Sequence, residues 1–197
     1  MPRTPGDGEA QRDQILSAAV ELLAESGADS LRMRDVAAAA GVSVGMIQYY
    51  FDSRDLLLEA AFRRYTEDVI TRLRETARGP GEPWAKLSRL CRTAAAGAHV
   101  RRRSAVWLNL VDLGVRDDAL RRLAREVYEA WVEAFHELIR EGCDRGSFSP
   151  AVDATAAAEQ LVAIVDGLDV ASAIRRRGAT SSWREERLVA AARALLG

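Results

Sequence analysis

Apolar residues recur at three- and four-residue intervals along most of the chain, a spacing that predicts helices rather than strands. In AQRDQILSAAVELLAESG, Ile15, Ala19, Leu22 and Leu23 share one helical face, and Gly27 follows as a C-terminal cap. MRDVAAAAG predicts a short second helix stopped by Gly41, and VGMIQYYF a short third. SRDLLLEAAFRRYTEDVITRLRETARG predicts a long fourth, capped at its start by Ser53. The sharpest change of composition is RGPGEP, residues 78–83, which separates an N-terminal unit from a larger C-terminal one.

Beyond that break, WAKLSRLCRTAAAGAHV and SAVWLNLVDLGV predict two medium helices, with the basic run Arg101, Arg102 and Arg103 between them. DALRRLAREVYEAWVEAFHELIREG is strongly amphipathic: Leu120, Leu123, Val127, Trp131, Ala134, Phe135 and Leu138 fall on one face, and Gly142 ends it. After the loop CDRGSFSPAV, Asp153 caps a helix running to about Arg175. Its Leu161, Val162, Ile164, Val165, Leu168, Val170 and Ile174 leave almost no polar face, which predicts burial on most sides. SWRE, with Ser182 and Glu185 as a capping box, predicts the start of the last helix. The pattern is all-α, with about nine helices and no sheet.

Composition agrees, since Ala, Leu, Arg and Glu dominate and all favour helix. The 197 residues suffice for a substantial core. The 28 basic residues are Arg except for Lys86, and the net charge of −1 exerts no global pull toward nucleic acid or membrane. Any such binding must come from a local patch. Cys91 and Cys143 lack the CxxC spacing of a zinc site or redox motif and are expected to be reduced structural thiols. No apolar run is long enough to span a bilayer. The opening MPRTPGDGEAQ reads as a disordered arm through residue 8 without a signal-peptide core, so a cytoplasmic location is expected. His99 and His136 are far apart, and there is no HExxH, phosphate-cradling glycine loop or GxSxG. Neither enzyme activity, a metal nor a cofactor is expected.

The segment MRDVAAAAGVSVGMIQYYF has the plan of a helix-turn-helix. Val36, Ala37 and Ala40 are expected in the core, Gly41 permits the turn, and Ile47 and Phe51, four apart, face inward together. Ser43, Val44, Gly45, Met46, Gln48 and Tyr49 are left at the turn or on the exposed face. Gln suits an adenine edge, Met46 or Val44 a thymine methyl, and Ser or Tyr hydroxyls a phosphate. Arg32 and Arg34 flank the second helix and Arg54 opens the fourth. The competing reading is a helical hairpin whose aromatics are merely core. Residues 1–54 carry five Arg against eight Asp and Glu, which predicts modest nonspecific affinity and a shallow dependence on salt.

GVSVGMIQYYFDSRDLLL, with ILSAAVELLAESGADSLRMRDVAAAAG before it, resembles the DNA-binding domain of TetR-family transcriptional regulators through about the first sixty residues. AAAEQLVAIVDGLDV is similar to the BetI-type subgroup, in which DGL recurs in the penultimate helix. The resemblance implies a three-helix DNA-binding domain over residues 1–54, joined by the long fourth helix to an effector-binding and dimerisation domain over 55–197. It implies a homodimeric one-component repressor that binds a palindromic double-stranded DNA operator and is released by a small-molecule effector. Arg32 stands where the family commonly has a small hydroxyl residue, Gln48 where Tyr is frequent, and Arg54 where Lys is common. Gln48 is therefore expected to read bases and Arg32, Tyr49, Tyr50 and Arg54 to hold phosphates, although the Tyr50 ring can instead brace the first helix.

In the body, Trp107, Asn109, Leu110, Val111 and Asp112 on one helix and Tyr128, Trp131 and Phe135 on the next are candidate effector residues. Trp and Tyr could hold a cationic ligand through their ring faces, with Asp112 or Asp166 as counter-charge. An ordinary core is the alternative. Leu161, Val165 and Leu168, with Trp183, Leu188, Ala192 and Leu195 of the last helix, are expected to meet their copies in a twofold four-helix interface. The rival from another class is a helical small-molecule-binding protein without DNA binding.

Overall fold

The computed structural model describes residues 5–95 and 100–197; His99 lies outside them. Among the described residues there are nine helices and no strand: α1 (Pro5–Ser26), α2 (Met33–Ala40), α3 (Val44–Tyr50), α4 (Arg54–Arg78), α5 (Pro83–Ala95), α6 (Val100–Gly114), α7 (Asp118–Asp144), α8 (Ala154–Ala173) and α9 (Ser181–Leu196). They form two compact units. One joins the chain up to Glu67 with Ala105–Ala124; the other joins Asp68–Ser104 with Arg125–Gly197. The first unit is larger than the 1–54 domain expected, because α4, α6 and α7 each contribute to both units.

In the first unit α1, α2 and α3 close around Ile15, Leu23, Val36, Ile47 and Phe62, all fully buried. Each such side chain contributes about 1.5–3 kcal/mol by leaving water, which is what holds a seven-residue helix too short to stand alone. Gly41 adopts φ 64°, and its N–H and that of Val42 return to carbonyls of the last turn of α2. A side chain would oppose that left-handed backbone, so glycine makes the sharp turn possible. Ser53 caps α4 as expected, its Oγ accepting from Leu56 N at 3.2 Å.

In the second unit α5, α8 and α9 pack on one another. Several boundaries differ from expectation. Helix α1 begins at Pro5, inside the segment read as an arm. The run Arg101–Arg103 lies in the first turn of α6 rather than between helices. The N-cap of α9 is Thr180, whose hydroxyl accepts from Trp183 N at 3.2 Å, so the Ser182–Glu185 capping box does not form. The extended backbone at Thr180 starts the helix two residues earlier.

Gly142 does not end α7, which continues to Asp144. It is a packing slot: a Cβ there would stand 2.1 Å from Cδ2 and Cε2 of the buried Phe148 ring. We expect Gly142→Ala to lower the thermal midpoint, because overpacking of about 1–3 kcal/mol or more outweighs a helix-propensity gain of about 1 kcal/mol. An unchanged or raised midpoint in calorimetry would show that Phe148 yields freely.

Lys86 of α5 donates to both carboxylate oxygens of Glu141 on α7, at 3.0 and 2.9 Å. That hydrogen bond, opposed by desolvation and aided by the charges of Lys86 and Arg145, holds the Glu141 carboxyl below its usual range. A depressed carboxyl contributes stability above its unfolded pKa and loses it as pH falls through the folded value. Urea midpoints at about pH 6 and about pH 4 should therefore differ less in Lys86→Met than in the wild type. Equal differences would remove the Lys86 contact as the cause.

Most of the residues expected at a twofold interface are buried in the chain itself. Leu161, Val165 and Leu168 of α8 and Leu188 and Ala192 of α9 are buried within their own unit, while Trp183 and Leu195 are half-buried. Among the exposed residues of α8 are Ala163, Gly167 and Val170, followed by its C-cap Ile174, the last two at 46% and 69%. Their spacing of four, three and four residues lines them up as one stripe.

Candidate nucleic-acid interface

Helix α3 is built as a ridge anchored from below. Ile47 is fully buried and Phe51, its C-cap, is nearly so, with the Arg12 guanidinium 5.4 Å from the Phe51 ring centroid. Gln14 of α1 donates from Nε2 to Ala40 O at 2.8 Å, tying the end of α2 to the same base. Gln48 and Tyr49 consequently project outward, Tyr49 at 77% exposure. Ser43, Val44 and Gly45 are exposed beside them and Met46 is half-buried. Ser43 is also the N-cap of α3, its Oγ accepting from Met46 N at 3.1 Å. The hairpin with only core aromatics is excluded by the outward Tyr49.

Tyr50 is half-buried and packs edge-on against Tyr49, with ring centroids 5.1 Å apart. Its hydroxyl lies 3.5 Å from where a Cβ on Gly8 would be, so the ring braces α1. Arg32 and Arg34 are exposed. Arg32 occupies the N-cap position of α2 without a side-chain capping bond, and Arg34 Nε is 3.5 Å from Asp35.

Arg54 is committed elsewhere than expected. Its Nε donates to Leu31 O at 2.9 Å, its Nη2 to Ala28 O, and its Nη1 to Asp55 at 3.2 Å. The guanidinium clamps the loop between α1 and α2, while 38% of the side chain stays exposed. The fork geometry of arginine suits two carbonyls of one turn.

The candidate effector residues divide between the units: Trp107–Asp112 belong to the first, and Tyr128, Trp131, Phe135 and Asp166 to the second. In the first, Trp107 and Leu110 are buried, whereas Val111 and Asp112 face solvent and Asp112 pairs with Arg116 at 3.4 Å. Asn109 is used structurally: Oδ1 accepts from Ala28 N at 3.0 Å and Nδ2 donates to Ala105 O at 2.8 Å. In the second, Phe135 is fully buried, Trp131 nearly so, Asp166 half-buried and Tyr128 exposed. The Arg103 guanidinium sits 5.7 Å from the Trp131 ring centroid. A cation of the protein itself thus lies against the Trp131 ring, and Asp112 faces solvent.

What residue patterns missed is a buried charge cluster in the second unit. Asp169 Oδ1 accepts from Arg103 Nη2 at 2.7 Å, Ser104 Oγ at 2.8 Å and Arg184 Nη2 at 3.2 Å. Asp169 and Arg184 are 3% and 2% exposed. Arg103 also donates to the carbonyls of Thr93 and Ala94 at the end of α5. Desolvation lowers the Arg184 pKa, while Asp169 works to raise it. The available signal was Asp169 itself, a carboxylate between the apolar Leu168 and Val170, since a buried carboxylate requires a cationic partner. Cys91 is buried and its thiol is pushed up to about 12, mainly by desolvation, so it is an inert packing group. Among the described residues no cluster suits a metal, and no helix is long and apolar enough to cross a membrane.

Comparison with known proteins agrees with this architecture. Residues 15–61 match the model of bacterial regulatory proteins of the tetR family, and residues 83–197 that of the BetI-type transcriptional repressor C-terminal domain. The chain is 30% identical over 179 residues to the HTH-type transcriptional regulator BetI of Paraburkholderia phymatum, covering 85% of this chain and 83% of that protein. A putative TetR-family transcriptional regulator from Rhodococcus sp. superposes with a TM-score of 0.78 at 27% identity, over 96% of this chain and all of that one. A putative transcriptional regulator from Saccharomonospora viridis, solved in complex with choline, superposes with a TM-score of 0.83 at 26% identity, over 91% and 94% of the two chains. With the helix-turn-helix ridge at its N-terminal end and a BetI-type body after it, the chain belongs to the TetR family of transcriptional regulators.

Proposed function

We propose that the chain is a ligand-responsive repressor that binds a palindromic operator as a homodimer and leaves it when a small molecule occupies the body. The observation that carries the DNA reading is the outward pair Gln48 and Tyr49 above the buried anchors Ile47 and Phe51. Gln48 is assigned to a base edge and Tyr49, Arg32, Arg34, Ser43 and Gly45 to the backbone. Met46 and Val44 offer apolar contact to thymine methyls, while Tyr50 and Arg54 hold the ridge in place.

The dimer face is assigned to the stripe Ala163, Gly167, Val170 and Ile174 along α8 and its C-cap, with the exposed Ala190 and Ala194 of α9 as further candidates. A Cβ at Gly167 would meet nothing within 4 Å, so a partner helix has room to approach there. Twofold pairing would set the two reading helices one turn of DNA, ~34–36 Å, or a multiple apart. The choline-bound relative supports small-molecule occupancy of the body. Because Arg103 already lies against Trp131, we do not assign a quaternary ammonium to that ring.

Selection of bound sequences from a random duplex pool tests the reading. Enrichment of an inverted repeat, with sedimentation showing two protomers per site, is the expected result. No enrichment even at low salt would instead favour a small-molecule-binding protein without DNA binding. The acidic balance of residues 1–54 also predicts a slope of log affinity against log salt well below the ~10 seen for strongly basic repressors. A slope near ten would contradict it.

A further inference from the structure

The backbone of Ala28, in the loop between α1 and α2, is held by two side chains that come from far along the chain. Its N–H is taken by Asn109 Oδ1 of α6 at 3.0 Å, across 81 residues, and its C=O by Arg54 Nη2 of α4, across 26. Ala28 is 3% exposed, so water does not cheaply replace the bond to its N–H, while its C=O also accepts from Leu31 N at 3.1 Å. The Asn109 amide orientation is settled by its surroundings. Turning it over would set Nδ2 against the Ala28 N–H and Oδ1 against the Ala105 carbonyl, two like-with-like contacts. Gly27, whose φ is 77°, lies against the same oxygen: a Cβ there would be 3.4 Å from Oδ1.

This loop governs how the DNA-facing residues next to it in the chain are placed. Arg32 and Arg34 stand just beyond it, and α2 receives no side-chain cap to define its start. Arg54 in turn opens α4 a few residues after the end of the reading helix α3. The pinned Ala28 therefore links α6, the entry to α2 and the exit from α3 inside one compact unit.

Resting on the reading of α3 as the DNA-reading helix, we infer that Asn109 is a positioning residue for operator binding, the latch by which α6 sets the loop before α2. It touches no DNA.

The test compares Asn109→Ala and Asn109→Leu with the wild type, using duplexes enriched by the wild-type chain and amide hydrogen exchange of the free protein. Leucine restores the volume of asparagine without its acceptor. Both variants should bind the enriched duplex roughly ten- to a hundredfold more weakly. Both should expose the Ala28 amide to faster exchange, with the amides of α8 and α9 unchanged as a check against global unfolding. Recovery of affinity and of Ala28 protection in Asn109→Leu would overturn the inference, because volume alone would then suffice. Unchanged affinity in both variants would overturn it equally. If the wild type enriches no duplex, the DNA reading fails, and the exchange result still decides whether Asn109 latches the loop.

Discussion

Asp169→Ala is expected to cost about 3–5 kcal/mol of stability, the range for removing one partner from a buried ionic group. The carboxylate is the acceptor shared by Arg103, Ser104 and Arg184, and Arg184 is almost wholly out of water. Without it two guanidinium groups face each other with no anion between them. Arg184 Nε already finds no acceptor among the described residues, so that side chain has little alternative bonding to fall back on. In a chain of this length the loss corresponds to a fall of roughly 6–20 °C in the thermal midpoint. Arg184→Met should cost less, since Arg103 and Ser104 remain on the carboxylate and the buried charges then balance one to one. Calorimetry of the two variants decides the matter. If Arg184→Met proves the more damaging, Asp169 is not the centre of the cluster.

Gln48→Ala should leave the fold intact and relax recognition at one base pair of each half-site. A bidentate amide–adenine pair discriminates by about 1–3 kcal/mol, and a twofold assembly loses it twice, about 2–6 kcal/mol in total. That is roughly a thirtyfold to ten-thousandfold loss on the preferred duplex, with little change on unrelated DNA. Because Gln48 is exposed and Ile47 beneath it carries the packing, the thermal midpoint should not move. Equal weakening on specific and unrelated duplexes would instead mark Gln48 as a backbone contact. A duplex altered at a single base pair, to which wild type and variant bind equally, would identify the pair that it reads.

The ridge itself was legible in the residues because its logic is local. Ile47 and Phe51 four apart, a left-handed glycine before them and polar groups between them follow from helical spacing within a dozen residues. The same holds for the caps Ser53 and Asp153, each of whose side chains accepts from an amide two or three residues ahead. Arg54 was read as a phosphate contact because its charge and its place at a helix start are visible in sequence. The carbonyls of Ala28 and Leu31 that claim it are not.

Sequence by itself thus determined the helical class, the short third helix with its inner and outer faces, and the family. Those properties depend on periodicity and on turn chemistry, which act between near neighbours. Tertiary structure alone decided which face of α8 stays open, that Gly142 seats Phe148, that Asp169 gathers two arginines, and that Asn109 serves Ala28. Arg103 and Asp169 are 66 residues apart, and Asn109 and Ala28 are 81 apart. No local preference marks such pairs; they arise where folding removes water from both groups and leaves each as the other's nearest partner.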